Sequence, residues 1–272
     1  MAKIYGKVES GPNSTFSPVE TTLKQCIDFG FNDPNCFMVT WTEGGCLFYN
    51  YSPITKPMLV VETEEDSGSY VAIKTFNANT CPATFNDIDL TFKSMNGDTY
   101  PWSKTADGVS FSGCRSGWTR FDRANGRSVC LQALKLSFGV TKPAAISACQ
   151  QAAADIVGVE TKEELTWMFE QKNNLVGQNN SLWVDGERVP ECLPPIELKK
   201  VAGCNDFTWS NDLTSNVANL SDKNLADMSY YDPYQARPEN CLVVWSVHKK
   251  LNDASCTQFN AASGVICGYK LL

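Results

Sequence analysis

The stretch Ala236-Arg237-Pro238-Glu239-Asn240-Cys241-Leu242-Val243-Val244-Trp245 decides how this chain is read. A turn, Arg-Pro-Glu-Asn, runs straight into an apolar run that begins at a cysteine, which is the pattern of a turn feeding a strand. Its echo follows in Leu251-Asn252-Asp253-Ala254-Ser255-Cys256, where an Asn-Asp pair precedes a second cysteine. Gly264-Val265-Ile266-Cys267 is then a short apolar strand ending at a third.

The composition bounds what can surround this stretch. At 272 residues two domains are expected. An apolar fraction of 43% and a charged fraction of 19% are those of globular protein, not of a disordered chain or a coiled coil. A net charge of -7 argues against a nucleic-acid partner and against an anionic membrane surface. No run approaches the ~20 apolar residues of a spanning helix. Twelve cysteines, none in a Cys-x-x-Cys pair, with a single histidine, suit disulfides rather than metal or redox motifs. An oxidising, extracellular location follows. Four glycosylation sequons, at Asn13, Asn50, Asn179 and Asn219, agree with it. Met1-Ala2-Lys3-Ile4-Tyr5-Gly6-Lys7 holds no apolar leader; the cysteines lead us to expect a trimmed or mis-started form of a secreted protein.

Upstream, residues 1–80 read as a small cysteine-stapled unit. Val19, Leu23, Cys26 and Ile27 recur at helical spacing, with Ser17-Pro18 as the start of a helix over Val19–Phe29. Asn32-Asp33-Pro34 is a turn. Cys36 to Trp41, a Gly44-Gly45 turn, Cys46 to Tyr49 and Tyr70 to Phe76 read as strands. Residues 81–111, rich in Pro, Asn, Asp, Gly and Ser, read as a linker with one or two short strands. Residues 112–272 form the second domain. There Lys142 to Ala152 is an alanine-rich helix with Pro143 in its first turn. Thr161-Lys162-Glu163-Glu164 opens another with a capping box, and its Leu165, Met168 and Phe169 face the core.

The order helix-cysteine, strand-cysteine, hairpin, cysteine-strand resembles a PAN/apple-type (CW-type) module. It resembles the version preceding lectin-like domains in nematode secreted proteins, whose Val-Ala-Phe-Lys strand reads Val71-Ala72-Ile73-Lys74 here. The resemblance implies a Cys26–Cys46 disulfide. The pattern's second helical cysteine, expected near Gly30, is missing, which leaves Cys81 as the available partner for Cys36.

From Cys114-Arg115-Ser116-Gly117-Trp118 through Cys130, and on through Ser181-Leu182-Trp183-Val184-Asp185-Gly186 and Phe207-Thr208-Trp209, the second domain resembles a long-form C-type lectin-like domain. The fold this implies is α+β: two helices, antiparallel sheets and a long loop region, here Asn211 to Gln235. It also implies the disulfides Cys114–Cys130, Cys149–Cys267, Cys192–Cys204 and Cys241–Cys256. Closing a loop of roughly a hundred residues is worth ~4–5 kcal/mol in the chain-entropy model.

In sugar-binding members of that family, a Glu-Pro-Asn or Gln-Pro-Asp turn around a cis-Pro and a Trp-Asn-Asp strand hold a Ca²⁺ that grips sugar hydroxyls. The matching positions are Arg237, Glu239, Asn252 and Asp253, with Pro238 in the turn. Glu239, Asn252 and Asp253 can coordinate Ca²⁺; Arg237, a donor only, cannot. A cation ~4 Å from Ca²⁺ is repelled by roughly 2 kcal/mol even at water's dielectric. Nor do the residues from Cys241 to Trp245 supply the carboxylate that the family places just after the turn. We therefore expect a weakened Ca²⁺ site and no other cofactor. Two readings of Arg237 stand: it pairs with Glu239 or Asp253 as a guanidinium-carboxylate fork, or it joins Tyr230, Tyr231 and Tyr234 in a metal-free binding face.

No catalytic constellation appears. His248 lies in the polar Val247-His248-Lys249-Lys250 turn, and no Ser/His/Asp or Cys/His pattern or phosphate loop accompanies it. The resemblance implies a secreted recognition protein of the innate type, binding a glycan or a cell-surface protein. The alternatives are a metal-free protein-binding module without lectin activity and, remotely, a hydrolase using paired carboxylates.

Overall fold

The structure, a computed structural model, describes residues 1–16, 22–42, 45–51, 57–75, 90–94, 97–123, 126–190, 207–215, 231–232, 237–245, 250–257 and 260–271. The chain divides into a unit built on Met1–Arg120 and a unit built on Phe121–Lys270.

The first unit contains β1 (Ala2–Ser10), β2 (Thr15–Phe16), α1 (Leu23–Asn32), β3 (Cys36–Thr42), β4 (Gly45–Asn50), β5 (Met58–Glu62), β6 (Tyr70–Ile73), β7 (Thr91–Lys93), β8 (Thr99–Lys104) and β9 (Gly108–Phe111). They form a nine-stranded sheet in the order β2-β4-β3-β6-β1-β5-β9-β8-β7. The helix starts later than its apolar spacing predicts. Thr22 caps it through a Thr-x-x-Gln box: the Gln25 amide donates to the Thr22 hydroxyl at 3.3 Å, and the Thr22 amide donates to Gln25 Oε1 at 3.0 Å. Residues 17–21, the expected start, lie outside the described residues, and the helix runs through Asn32, into the expected turn.

Two further readings of this unit are corrected. The N-terminal segment, read only as lacking a leader, is β1, paired with both β6 and β5. The expected linker supplies β7, β8 and β9, and β9 is hydrogen-bonded along β5 from Met58↔Phe111 to Val61↔Gly108. Several of its apolar residues are core: Leu90, Phe92, Tyr100, Trp102 and Phe111 are buried with Phe37, whose ring stacks on Phe111 at 4.9 Å.

Cys26 is joined to Cys46. Cys36, expected with Cys81, is instead a free buried thiol that donates to the Met38 carbonyl at 3.3 Å; Cys81 lies outside the described residues. Burial pushes the Cys36 thiol up to about 11. A Cβ on Gly30 would lie 3.3 Å from Cys36 Sγ but would run into Val39 Cγ1. The packing of Val39 fills the space that a helix cysteine opposite Cys36 would need.

The second unit contains β10 (Thr119–Asp122), β11 (Ser128–Lys135), α2 (Lys142–Gln151), β12 (Asp155–Ile156), α3 (Lys162–Val176), β13 (Ser181–Arg188), β14 (Phe207–Thr208), β15 (Tyr231–Asp232), β16 (Arg237–Pro238), β17 (Cys241–Trp245), β18 (Lys250–Ala254) and β19 (Ala262–Leu271). The main sheet runs β10-β11-β19-β13-β17-β18, with β12 on β19 and β14 on β13; β15 and β16 pair separately. Thr141 and Thr161 cap the two helices, and α3 buries Leu165, Met168 and Phe169 against Leu131, Val157, Leu182, Val244 and Ile266. Cys149 of α2 is joined to Cys267 of β19, and Cys241 to Cys256. Cys114 and Cys130 are both disulfide-bonded. Cys192, Cys204 and His248 lie outside the described residues.

Candidate functional site

The register of β17 on β18 builds the edge on which the sequence is centred. Leu242 faces Asp253 and Val243 faces Asn252, so the Asn-Asp pair lies across from the first residues after the turn. On the other side β16 pairs with β15, Tyr231 with Pro238 and Asp232 with Arg237. No peptide bond among the described residues is cis. Tyr230 and Tyr234 fall outside the described residues, as do the side chains of Tyr231 and Arg237.

Glu239 and Asp253 are brought together, and the group that joins them is Arg188 at the end of β13. Arg188 Nη2 donates to Asp253 Oδ2 at 2.7 Å and to the Glu239 carbonyl at 3.1 Å. The Arg188 backbone amide donates to the Asn240 carbonyl at 2.8 Å. The guanidinium carbon stands 4.6 Å from the Phe207 ring centroid, and both charged side chains of the pair are completely buried. Arg188 thus supplies a guanidinium to Asp253; the side chain of Arg237, which the sequence allowed to pair with Glu239 or Asp253, lies outside the described residues. Asn252 turns its amide Nδ2 onto the Asp253 carbonyl at 2.7 Å.

So arranged, these residues do not fit a calcium ion. Ca²⁺ takes six to eight oxygens, whereas the Asp253 carboxylate already accepts from a cation, and the Asn252 amide donates to one carbonyl beside it. Among the described residues no three His, Cys, Asp or Glu side chains converge on one point.

Sequence reasoning missed Arg188 because the search for ligands stayed near the turn, while the ion pair spans 65 positions. The available signal was a charge ending the Ser181-Leu182-Trp183-Val184-Asp185-Gly186-Glu187-Arg188 core strand, seven of whose eight residues are buried.

Two more buried ionic groups lie in this unit, and the first braces the loop that starts at Asn211. Arg123 grips Glu164 bidentately at 2.7 and 3.0 Å and Glu160 at 3.0 Å, and it also donates to the Leu213 carbonyl. Glu160 accepts from the hydroxyl of Ser215 at 3.1 Å. The Glu164 carboxylate, expected to complete a capping box at Thr161, accepts instead from Arg123 and from the Glu160 amide at 2.8 Å. On α2, the buried Lys142 ammonium donates to the Gly186 carbonyl at 2.9 Å and lies 3.4 Å from Glu187. Burial lowers its pKa, and the Glu187 and Asp185 carboxylates oppose that shift.

Two family models match the chain. A PAN-like domain model matches residues 1–75, and the model for C-type lectin domain-containing protein 141/158 matches residues 121–269. No curated protein matches the chain significantly. Among solved structures, the cow CD23 carbohydrate-recognition domain with a GlcNAc2Man3 oligosaccharide is 17% identical, covering 57% of this chain and 95% of its own, at a TM-score of 0.34. Herring type II antifreeze protein is 18% identical over 57% of this chain and 98% of its own, at 0.36. The C-type lectin CEL-I from Cucumaria echinata is 15% identical over 57% and 96%, also at 0.36. With the lectin-type model spanning more than half of its length, this chain belongs to the C-type lectin domain-containing protein 141/158 family and carries a PAN-like domain ahead of the lectin domain.

Proposed function

We propose that this is an extracellular recognition protein whose lectin-like domain binds a carbohydrate or cell-surface ligand without calcium. The observation that carries the reading is the buried Arg188–Asp253 pair. The guanidinium already neutralises the Asp253 carboxylate, so the pair offers a Ca²⁺ ion little net attraction. The edge thus holds its positive charge as a side chain, and ligand contact falls to hydrogen-bonding groups and aromatic surface. Three of the four sequon asparagines, Asn13, Asn50 and Asn179, are exposed, which supports an extracellular location.

The test uses the oxidised full chain. Calcium is titrated by calorimetry, and a glycan array is read with and without EGTA. The expected result is no heat of calcium binding and ligand capture that EGTA leaves unchanged. EGTA-sensitive sugar binding would overturn the reading, and a blank array with capture of a cell-surface protein would narrow it to protein recognition.

A further inference from the structure

The helix of the PAN-like unit shows two large apolar side chains to solvent: Phe29 and Phe31 are 53% and 57% exposed. α1 lies along β3. Cys26 is joined to Cys46 at one end of the contact, and Gly30 sits against Val39 and Cys36 at the other. Cys26 and Gly30, about one turn apart, therefore face the sheet. Phe29 and Phe31, each ~100° to one side of Gly30, point along the two flanks of the helix. Phe31 takes the β6 flank, where the Lys74 ammonium stands 5.9 Å from its ring centroid. Phe29 takes the other, toward β4 and β2. That flank is also an open side of the sheet, because β2 ends the strand order among the described residues. An unpaired edge is a template for a second chain.

Two sequons converge on this corner. β2 pairs with β4 as Thr15↔Phe48 and Phe16↔Leu47. Phe48 packs beneath α1 against the cluster of Cys26 and Cys46, so Thr15, directly across from it, is on the helix side of the sheet. Asn50, two residues beyond Phe48, is on that side too and is exposed. The Tyr51 amide donates to the Asn35 carbonyl at 2.6 Å, which ties this end of β4 to the turn leaving α1. Asn13, Ser14 and Thr15 are all exposed. The Asn179 sequon differs: Ser181 is wholly buried, its hydroxyl donating to the Ala261 carbonyl at 3.3 Å.

We propose that Asn13 carries an N-linked oligosaccharide and that this glycan covers Phe29 and the β2 edge. Run on by two residues, the β2–β4 register sets Asn13 opposite Asn50, on the helix side and on the flank of Phe29. The modification is a group transfer. Asn13 Nδ2 bonds to the anomeric carbon of a lipid-diphosphate-linked oligosaccharide, the bond from that carbon to the diphosphate oxygen breaks, and the lipid diphosphate and one amide proton leave. Asn13-Ser14-Thr15 stays open to the transferase in the folded chain, whereas the Asn179 sequon closes once β13 is formed. An N-linked glycan is bulky and solubilising. Its hydroxyls face water while the C–H face of its first sugar lies over the Phe29 ring, which removes an apolar patch from the surface. Linked beside β2, it also keeps a second chain from adding to that edge. The modification requires passage through a secretory lumen, so it rests on the extracellular reading and on no particular ligand.

The test is to produce the full chain behind a secretory leader in cultured mammalian cells. The released protein is treated with peptide N-glycosidase in heavy-oxygen water and mapped by mass spectrometry. A heavy-oxygen label at Asn13 is expected. Asn13→Gln should raise self-association, read by light scattering, at least tenfold, and enzymatic removal of the glycans from the native protein should raise it at least as much. Phe29→Ser in the Asn13→Gln chain should reverse most of that rise. Retention of the chain inside the cell overturns both this inference and the extracellular reading. Three outcomes overturn this inference alone: release with Asn13 unmodified, an Asn13→Gln chain no more associated than the parent, or a rise that Phe29→Ser leaves untouched.

Discussion

At the edge of the lectin-like unit, Arg188 is wholly buried, hydrogen-bonded to Asp253 and the Glu239 carbonyl, and set over Phe207. On the sheet of the PAN-like unit, Lys3 and Lys104 are exposed. The two regions show opposite uses of a positive charge. A desolvated guanidinium belongs to the fold, because removing it strands a buried carboxylate. An exposed ammonium adds little to stability.

The strongest attempt to break this contrast is Arg188→Met. It should lower unfolding free energy by ~3–5 kcal/mol in urea denaturation, as loss of one partner of a buried pair does. Adding Asp253→Leu should restore most of the loss. A single-variant cost below ~1 kcal/mol would place Arg188 among the dispensable charges.

Glu164→Gln should cost less, about 1.5–3 kcal/mol, since Arg123 keeps Glu160 at 3.0 Å. Lys142 gives a pH signature. Its folded pKa lies below the ordinary lysine value of 10.5, so as pH rises toward 10.5 the unfolded chain binds more protons and stability should increase. Lys142→Met should flatten that rise in melts taken from pH 8 to 10.5. The smallest effects are expected at the exposed lysines of the PAN-like unit, where Lys3→Ala and Lys104→Ala should each stay within about 0.5 kcal/mol of the parent. Larger losses there would make those lysines structural.

The helices of the lectin-like unit were legible because their signals are local: Thr141 and Thr161 caps, Pro143 in a first turn, and apolar residues at helical spacing. The core strand around Trp183 and the disulfide partners of Cys149 and Cys241 came through resemblance to a family. What escaped was long-range or compositional. β7 to β9 look like a linker because Pro101, Asn96 and Gly97 are turn-formers, yet Phe92, Trp102 and Phe111 are buried. Nothing near Ala2–Ser10 announces that it pairs with strands some sixty residues on. Arg188 was invisible for the same reason: a residue's partner across a sheet is set by register, which local sequence does not state.

The Cys149–Cys267 bond encloses 118 positions. That is roughly 400 Å of extended chain at ~3.4 Å per residue. Pulled from outside that ring, the domain would carry tension across one covalent shortcut from α2 to β19, and the enclosed segment, turn edge included, would stay slack. Under load the turn edge is mechanically insulated, and a reductant would release the hidden length.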